Sequence, residues 1–127
     1  MLTALNLMKR NLATVPHSAT ALDAAKVMRD QKIGSVFIEQ DRQIVGIVTE
    51  TDIVRDVVGM SLPANHINVR DIMSSPVIGV DERSPITEAA DLMERNGTRH
   101  LAVFKSDRIV GVLSVRDLLH PVSVDEF

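Results

Sequence analysis

Apolar positions change period several times along this chain, and each change predicts an element. Two short apolar runs, SVFIE at 35–39 and QIVGIV at 43–48, flank the polar turn QDR, the signature of a β-hairpin. The arrangement returns as HLAVF at 100–104 and RIVGVL at 108–113 around the turn KSD. Ahead of the second hairpin, Ile86, Ala89, Ala90 and Met93 recur at helical spacing. Ser84 is placed to cap that helix, Pro85 suits its first turn, and Gly97 can end it in a left-handed conformation. Leu22, Ala25 and Met28 form the equivalent stripe ahead of the first hairpin. Short extended pieces at 12–15 and 77–80 precede the two helices, and DIVRDVV and DLLH follow the two hairpins as second helices.

The chain is therefore written twice. Sliding it by 65 positions, the step from Gly46 to Gly111, aligns the halves without a gap. Met8 falls on Met73, Val15 on Val80, Met28 on Met93, and Asp52 on Asp117. Ile44-Val45-Gly46 falls on Ile109-Val110-Gly111. Each copy reads strand, helix, strand, strand, helix, with repeat 1 at 1–58, a linker at 59–66, repeat 2 at 67–121 and a tail at 122–127. Such duplication is the strongest organising signal in the sequence. One copy covers a single face of its sheet with helices, and two copies can close face to face about a pseudo-twofold axis, leaving clefts.

Each hairpin ends on a polar hook, Thr49-x-x-Asp52 or Ser114-x-x-Asp117. This is the capping-box pattern with Asp in place of Glu or Gln, so plain helix capping is one reading. The other is a ligand site. A helix N-terminus after a strand offers free N–H groups to a phosphate, and a nearby carboxylate can accept both hydroxyls of a ribose. Gly46 and Gly111, lacking side chains, allow close approach to the backbone there. The two readings are compatible.

Composition narrows the choice of partner. The chain has 127 residues, 45% of them apolar, enough for one compact domain, and a net charge of −3 that disfavours a nucleic-acid partner. There is no Cys, and the four His residues show no metal-ligand spacing. No Walker-type loop or nucleophile triad is legible, so an enzyme is not expected. No apolar run approaches a membrane span and no signal peptide is visible, making a cytoplasmic protein the expectation. With three Phe and no Trp or Tyr, a flat ligand would be held by aliphatic groups.

The runs GIVTETDI and GVLSVRDL, with VRDIMSSPVIGVDERSPITEAADLM and GTRHLAVF, resemble the CBS domain. The resemblance covers both copies and implies a stand-alone CBS pair, or Bateman module. Its expected fold is α+β, two pseudo-symmetric β-α-β-β-α repeats with small sheets packed face to face. It also implies two clefts for adenine nucleotides (AMP, ADP or ATP) or other adenosine-containing ligands such as NAD or S-adenosylmethionine. No cofactor is required. One cleft would hold Ser114, Arg116 and Asp117, faced by Met8, Ala13, Ile33 and Gly34. The other would hold Thr49 and Asp52, faced by Met73, Ile78, Thr98, Arg99 and His100. Aspartate would take the ribose, and the hydroxyls and cations the phosphates.

The copies differ at the hooks: Arg116 replaces Thr51, Val115 replaces Glu50, and Arg99-His100 replace Gly34-Ser35. Each site residue also has a plainer reading. Arg99 could be a solvated strand-start residue, His100 a packed or surface histidine, Arg116 the partner of a neighbouring acid, and the methionines core filler. The expected assembly is a homodimer read by an unidentified effector protein. The alternative is a structural dimerisation module whose hooks only cap helices.

Overall fold

The computed structural model describes residues 1–119; the tail at 122–127, His120 and the end of repeat 2 lie outside the described residues. In chain order the elements are α1 (Ala4–Leu7), β1 (Thr14–Pro16), α2 (Ala21–Gln31), β2 (Ser35–Gln40), β3 (Gln43–Thr49) and α3 (Glu50–Ile53). They continue with β4 (Gly79–Asp81), α4 (Ile86–Asn96), β5 (His100–Lys105) and β6 (Arg108–Ser114), then a helical turn at 115–119. The fold is α+β, with two mixed three-stranded sheets ordered β1-β2-β3 and β4-β5-β6. Each sheet joins a parallel pair to an antiparallel hairpin, and both hairpins slip register at the same place, Ile38/Glu39 and Val103/Phe104.

Where length alone suggested one compact domain, the chain divides into two compact units. The middle unit is Ala13–Val77; the terminal unit is Met1–Leu12 together with the chain from Ile78 on. The units cut across the repeats, so each contains the body of one repeat and the opening segment of the other. The reason is visible at the free edges of β3 and β6. Ser74 exchanges backbone hydrogen bonds with Ile47 (2.9 and 3.1 Å), and Lys9 does the same with Val112 (2.9 and 3.0 Å). An open strand edge leaves backbone groups without partners, and here the other repeat's opening segment supplies them.

In the middle unit Val36, Ile38 and Val48 of the sheet pack with Ala21, Ala24 and Met28 of α2. In the terminal unit Leu101, Val103 and Leu113 pack with Ala89 and Met93 of α4, and with Ala4 and Met8 of the opening segment. The buried helical positions are thus shifted from the expected stripes: Leu22 and Ala25 are half-buried and Ala90 is exposed.

Helix boundaries follow local chemistry with one exception. Thr20 caps α2 through a full capping box with Asp23. Gly97 (φ 62°) and Lys32 (φ 58°) end α4 and α2 in the left-handed conformation. Ser84, however, does not cap α4. Pro85 is the N-cap residue, and Ser84 is drawn into a turn, its N–H donating to the Asp81 carbonyl and its carbonyl accepting from Ala4. The Ile86 N–H instead donates to the carbonyl of Leu2 (3.2 Å). A backbone group distant in sequence has taken over the serine's role. The helix expected from Asp52 starts at Glu50 and, after α3, widens into a π-helical turn, Val54–Val58.

Candidate functional site

Both hooks fold as capping boxes, and their geometry is nearly identical. At the first, Asp52 Oδ2 accepts from the Thr49 N–H (2.8 Å) and from Thr49 Oγ1 (3.1 Å), while the Asp52 N–H donates to Thr49 Oγ1 (3.3 Å). At the second, Asp117 Oδ2 accepts from the Ser114 N–H (2.8 Å) and Oγ (3.0 Å), and the Asp117 N–H donates to Ser114 Oγ (3.3 Å). Oδ2 is therefore engaged by the cap in both copies, and Oδ1 makes a separate contact with a cation.

Capping alone does not set these residues apart, because Thr20 and Asp23 form the same box at α2 (2.9 and 3.1 Å). This third box is written in the sequence as TALD, so Asp at that position serves plain capping here. Burial separates them. Asp23 is exposed, whereas Asp52 and Asp117 retain 6% and 7% of their accessible surface. With Ser35 they are the buried polar side chains among the described residues. The Asp23 carboxyl is held below its ordinary range by the Thr20 N–H and then by the Thr20 hydroxyl.

The partners of Oδ1 differ between copies, and sequence reasoning named neither. Asp52 Oδ1 accepts from Arg55 Nη2 (3.1 Å), one turn further on. That guanidinium is also locked to Asp56, through Nε (3.1 Å) and Nη2 (3.3 Å). Hydrogen bonding to Asp56, reinforced by its charge, raises the Arg55 pKa. Asp117 Oδ1 instead meets Lys9 Nζ at 3.5 Å, from the opening segment of the other repeat. Both cations are solvated, with 64% of the Arg55 side chain and 71% of the Lys9 side chain accessible. The alignment Met8-Lys9 with Met73-Ser74 is the signal that could have exposed this asymmetry.

The glycines are approached closely, but by protein. A Cβ on Gly111 would lie 2.5 Å from Met8 Sδ, and one on Gly46 would lie 2.5 Å from Met73 Sδ. The thioethers thus fill the space that the glycines leave over β6 and β3.

The remaining expected residues are distributed between the units. Met8 shares the terminal unit with Ser114, Arg116 and Asp117, while Ala13, Ile33 and Gly34 belong to the middle unit. Met73 shares the middle unit with Thr49 and Asp52, while Ile78, Thr98, Arg99 and His100 belong to the terminal unit. Ala13 is buried, its carbonyl accepting from Phe37, and Ile33 packs against the α2 core. The carbonyl of Gly34 accepts from the Glu50 N–H (3.0 Å), and that of Arg99 from the Val115 N–H (3.0 Å), so each lies beside the hook of its own repeat. The Ile78 carbonyl accepts from Ala102, and Thr98 Oγ1 both donates to and accepts from the backbone of half-buried His100. Arg116 is exposed and forms no ion pair among the described residues. No group of three potential metal ligands occurs among them, and no helix there is long and apolar enough to cross a membrane.

Two α+β repeats that exchange opening segments and present matching hooks define a tandem-repeat module. The family model of the CBS domain matches residues 4–59 and 69–123, and the chain belongs to that family. An uncharacterised protein of Methanopyrus kandleri is 35% identical over 113 residues, covering 87% of this chain and 58% of the relative. The chain thus spans less than two thirds of that relative's length. A putative signal-transduction protein with CBS domains from Burkholderia ambifaria superposes with a TM-score of 0.90 at 30% identity, covering 98% of this chain and 93% of that one. A hexameric CBS-CP12 protein from bloom-forming cyanobacteria gives 0.89 at 30% identity, covering 99% and 74%. Proteins of this family are generally regulatory or signalling rather than catalytic.

Proposed function

We propose that this CBS pair is a regulatory module that binds an adenine nucleotide (AMP, ADP or ATP) or a related adenosyl ligand at its Thr/Ser–Asp hooks and relays occupancy to a partner protein. The observation that carries the reading is the state of the two buried aspartates. Their caps hold Oδ2, and among the described residues the partner of Oδ1 is a solvated cation. Exposed ion pairs contribute about 0–1 kcal/mol, so a sugar hydroxyl can replace the cation at small cost. A carboxylate fixed by its own cap is pre-organised to accept that hydroxyl. The ligand shifts the protein's shape only as far as it prefers one conformation over another. Calorimetry with AMP, ATP, NAD and S-adenosylmethionine tests this, with heat expected from at least one; silence from all four refutes it.

A second reading, dimerisation without a nucleotide, is favoured by a different observation. Val54, Val58 and Met60 are 62%, 66% and 65% exposed in the middle unit. In the terminal unit Ala90, Met93, Val115 and Leu118 line a groove of about 520 Å³. Apolar surface of this kind marks association sites, and the cyanobacterial relative is described as hexameric. Sedimentation of the chain and of Val54→Asp/Val58→Asp decides it. A concentration-dependent oligomer that the double substitution dissociates supports the reading, and a monomer at all concentrations removes it.

A further inference from the structure

Backbone hydrogen bonds beyond α3 reach one residue too far for an α-helix. The Gly59 N–H donates to the carbonyl of Val54 (2.7 Å) and the Leu62 N–H to that of Val57 (3.0 Å), each five residues back. Turns this wide are rare, and they need support from outside the backbone. Three supports are visible. Val57 is fully buried in the core of the middle unit. Gly59 has no side chain where a Cβ would lie 2.9 Å from the Val54 oxygen. The Arg55 guanidinium clasps Asp56 through Nε (3.1 Å) and Asp52 through Nη2 (3.1 Å), tying the turn to the residue that caps α3. This clasp is the exposed support, with 64% of the Arg55 side chain accessible. It is particular to one repeat, because 65 positions further on Arg55, Asp56 and Gly59 become His120, Pro121 and Val124. Past the clasp, the chain from Val58 to Pro63 is exposed and uncharged, and Val58 and Met60 are 66% and 65% accessible.

We propose that Arg55 is a conformational latch for the turn Val54–Val58. While the guanidinium spans Asp52 and Asp56, the turn stays wide. When another donor takes Asp52 Oδ1, the turn rewinds to α-helical spacing and the Gly59 N–H moves to the carbonyl of Arg55. One residue of helical register is a rotation of about 100°. Val58 and Met60 are thereby re-aimed while Val57 stays anchored in the core, and the exposed chain at 58–63 absorbs the change. The state of one carboxylate is thus relayed to an apolar surface of the same unit. Arg55 acts through the backbone and is a positioning residue. Exposed ion pairs are weak, which suits a switch, since losing one shifts an equilibrium severalfold without unfolding the chain. The latch rests on the nucleotide reading above only for the identity of the releasing donor; substitution exercises it in the chain without ligand.

The test is NMR of the full chain. Couplings across hydrogen bonds identify the carbonyl that accepts from the amide at position 59, and hydrogen exchange follows the amide at 62. In the unaltered chain the acceptor should be Val54. In Arg55→Gln it should become residue 55, with exchange at 62 quickened roughly fivefold. Asp52→Asn should do the same, because its amide can keep the cap while presenting a donor to the guanidinium. Gly59→Ala, which crowds the Val54 oxygen, should reach that state with the clasp untouched. Arg29→Gln removes a comparable exposed pair with Asp30 (2.9 Å) on α2 and should change neither readout. An Arg55→Gln chain that keeps Val54 as acceptor, or whose amide at 59 finds no new one, overturns the latch. Rewinding in Arg55→Gln when the unaltered chain binds no adenosyl ligand overturns the nucleotide reading and leaves the latch standing.

Discussion

Replacing Asp117 by Asn and by Ala separates the two roles of its carboxylate. Alanine removes the acceptor for the Ser114 N–H (2.8 Å) and hydroxyl (3.0 Å), and also the weak pair with Lys9. Loss of a cap costs about 1 kcal/mol, and a backbone N–H left unpaired in a half-buried site adds roughly 1 more. The Lys9 pair adds at most about 1. The expected destabilisation is therefore about 2–3 kcal/mol, read as a lower urea midpoint at unchanged slope. Asparagine is nearly isosteric. Its amide oxygen can stay on Ser114 and keep the cap, while the NH₂ group takes the Oδ1 position, where it donates and cannot accept a sugar hydroxyl. Asp117→Asn should accordingly lose no more than about 1 kcal/mol, the value of the solvated ion pair, yet bind no nucleotide at that hook. Urea titration of both variants beside calorimetry provides the measurement. If asparagine destabilises as severely as alanine, the division of labour between Oδ2 and Oδ1 is wrong.

Two further predictions concern the scaffold. A methyl group on Gly79 would collide with the backbone carbonyl of Ala102, as well as with Phe104 Cε2 at 2.6 Å. Gly79→Ala should therefore destabilise by about 1–3 kcal/mol through forced separation of β4 from β5; an unchanged urea midpoint would show that the strands yield freely. Because the Asp23 carboxyl is held below its ordinary pKa by Thr20, its contribution to stability is complete above the unfolded value and is lost as pH falls through the lower folded one. Asp23→Asn should melt below the natural chain near neutrality and converge on it in acid, once pH has fallen below the lowered pKa of Asp23. A gap between their melting temperatures that persists unchanged into strong acid contradicts the cap.

The sequence by itself determined whatever depends on neighbours a few residues apart. The Thr49–Asp52 and Ser114–Asp117 boxes and the left-handed stop at Gly97 are closed by hydrogen bonds or dihedral preferences within about one turn, and both hairpins by pairing across a short connection. Spacing therefore encodes them directly. Boundaries drifted where backbone competed with side chain: Ser84 lost its capping role to the carbonyl of Leu2, and the helical stripes turned so that Ala90 faces outward. Tertiary structure alone decided that Ser74 and Lys9 complete the edges of β3 and β6, that Met8 and Met73 fill the space over Gly111 and Gly46, and that Lys9 reaches Asp117 while Arg55 serves Asp52. It also decided that two of three Thr/Ser–Asp boxes are buried and the third is not. No local pattern specifies such pairings, because they arise only when two free strand edges recruit backbone from the other half of the chain. The candidate site is a case of both. Its carboxylates and hydroxyls are written in the sequence, but the cation that distinguishes one from the other comes from the fold.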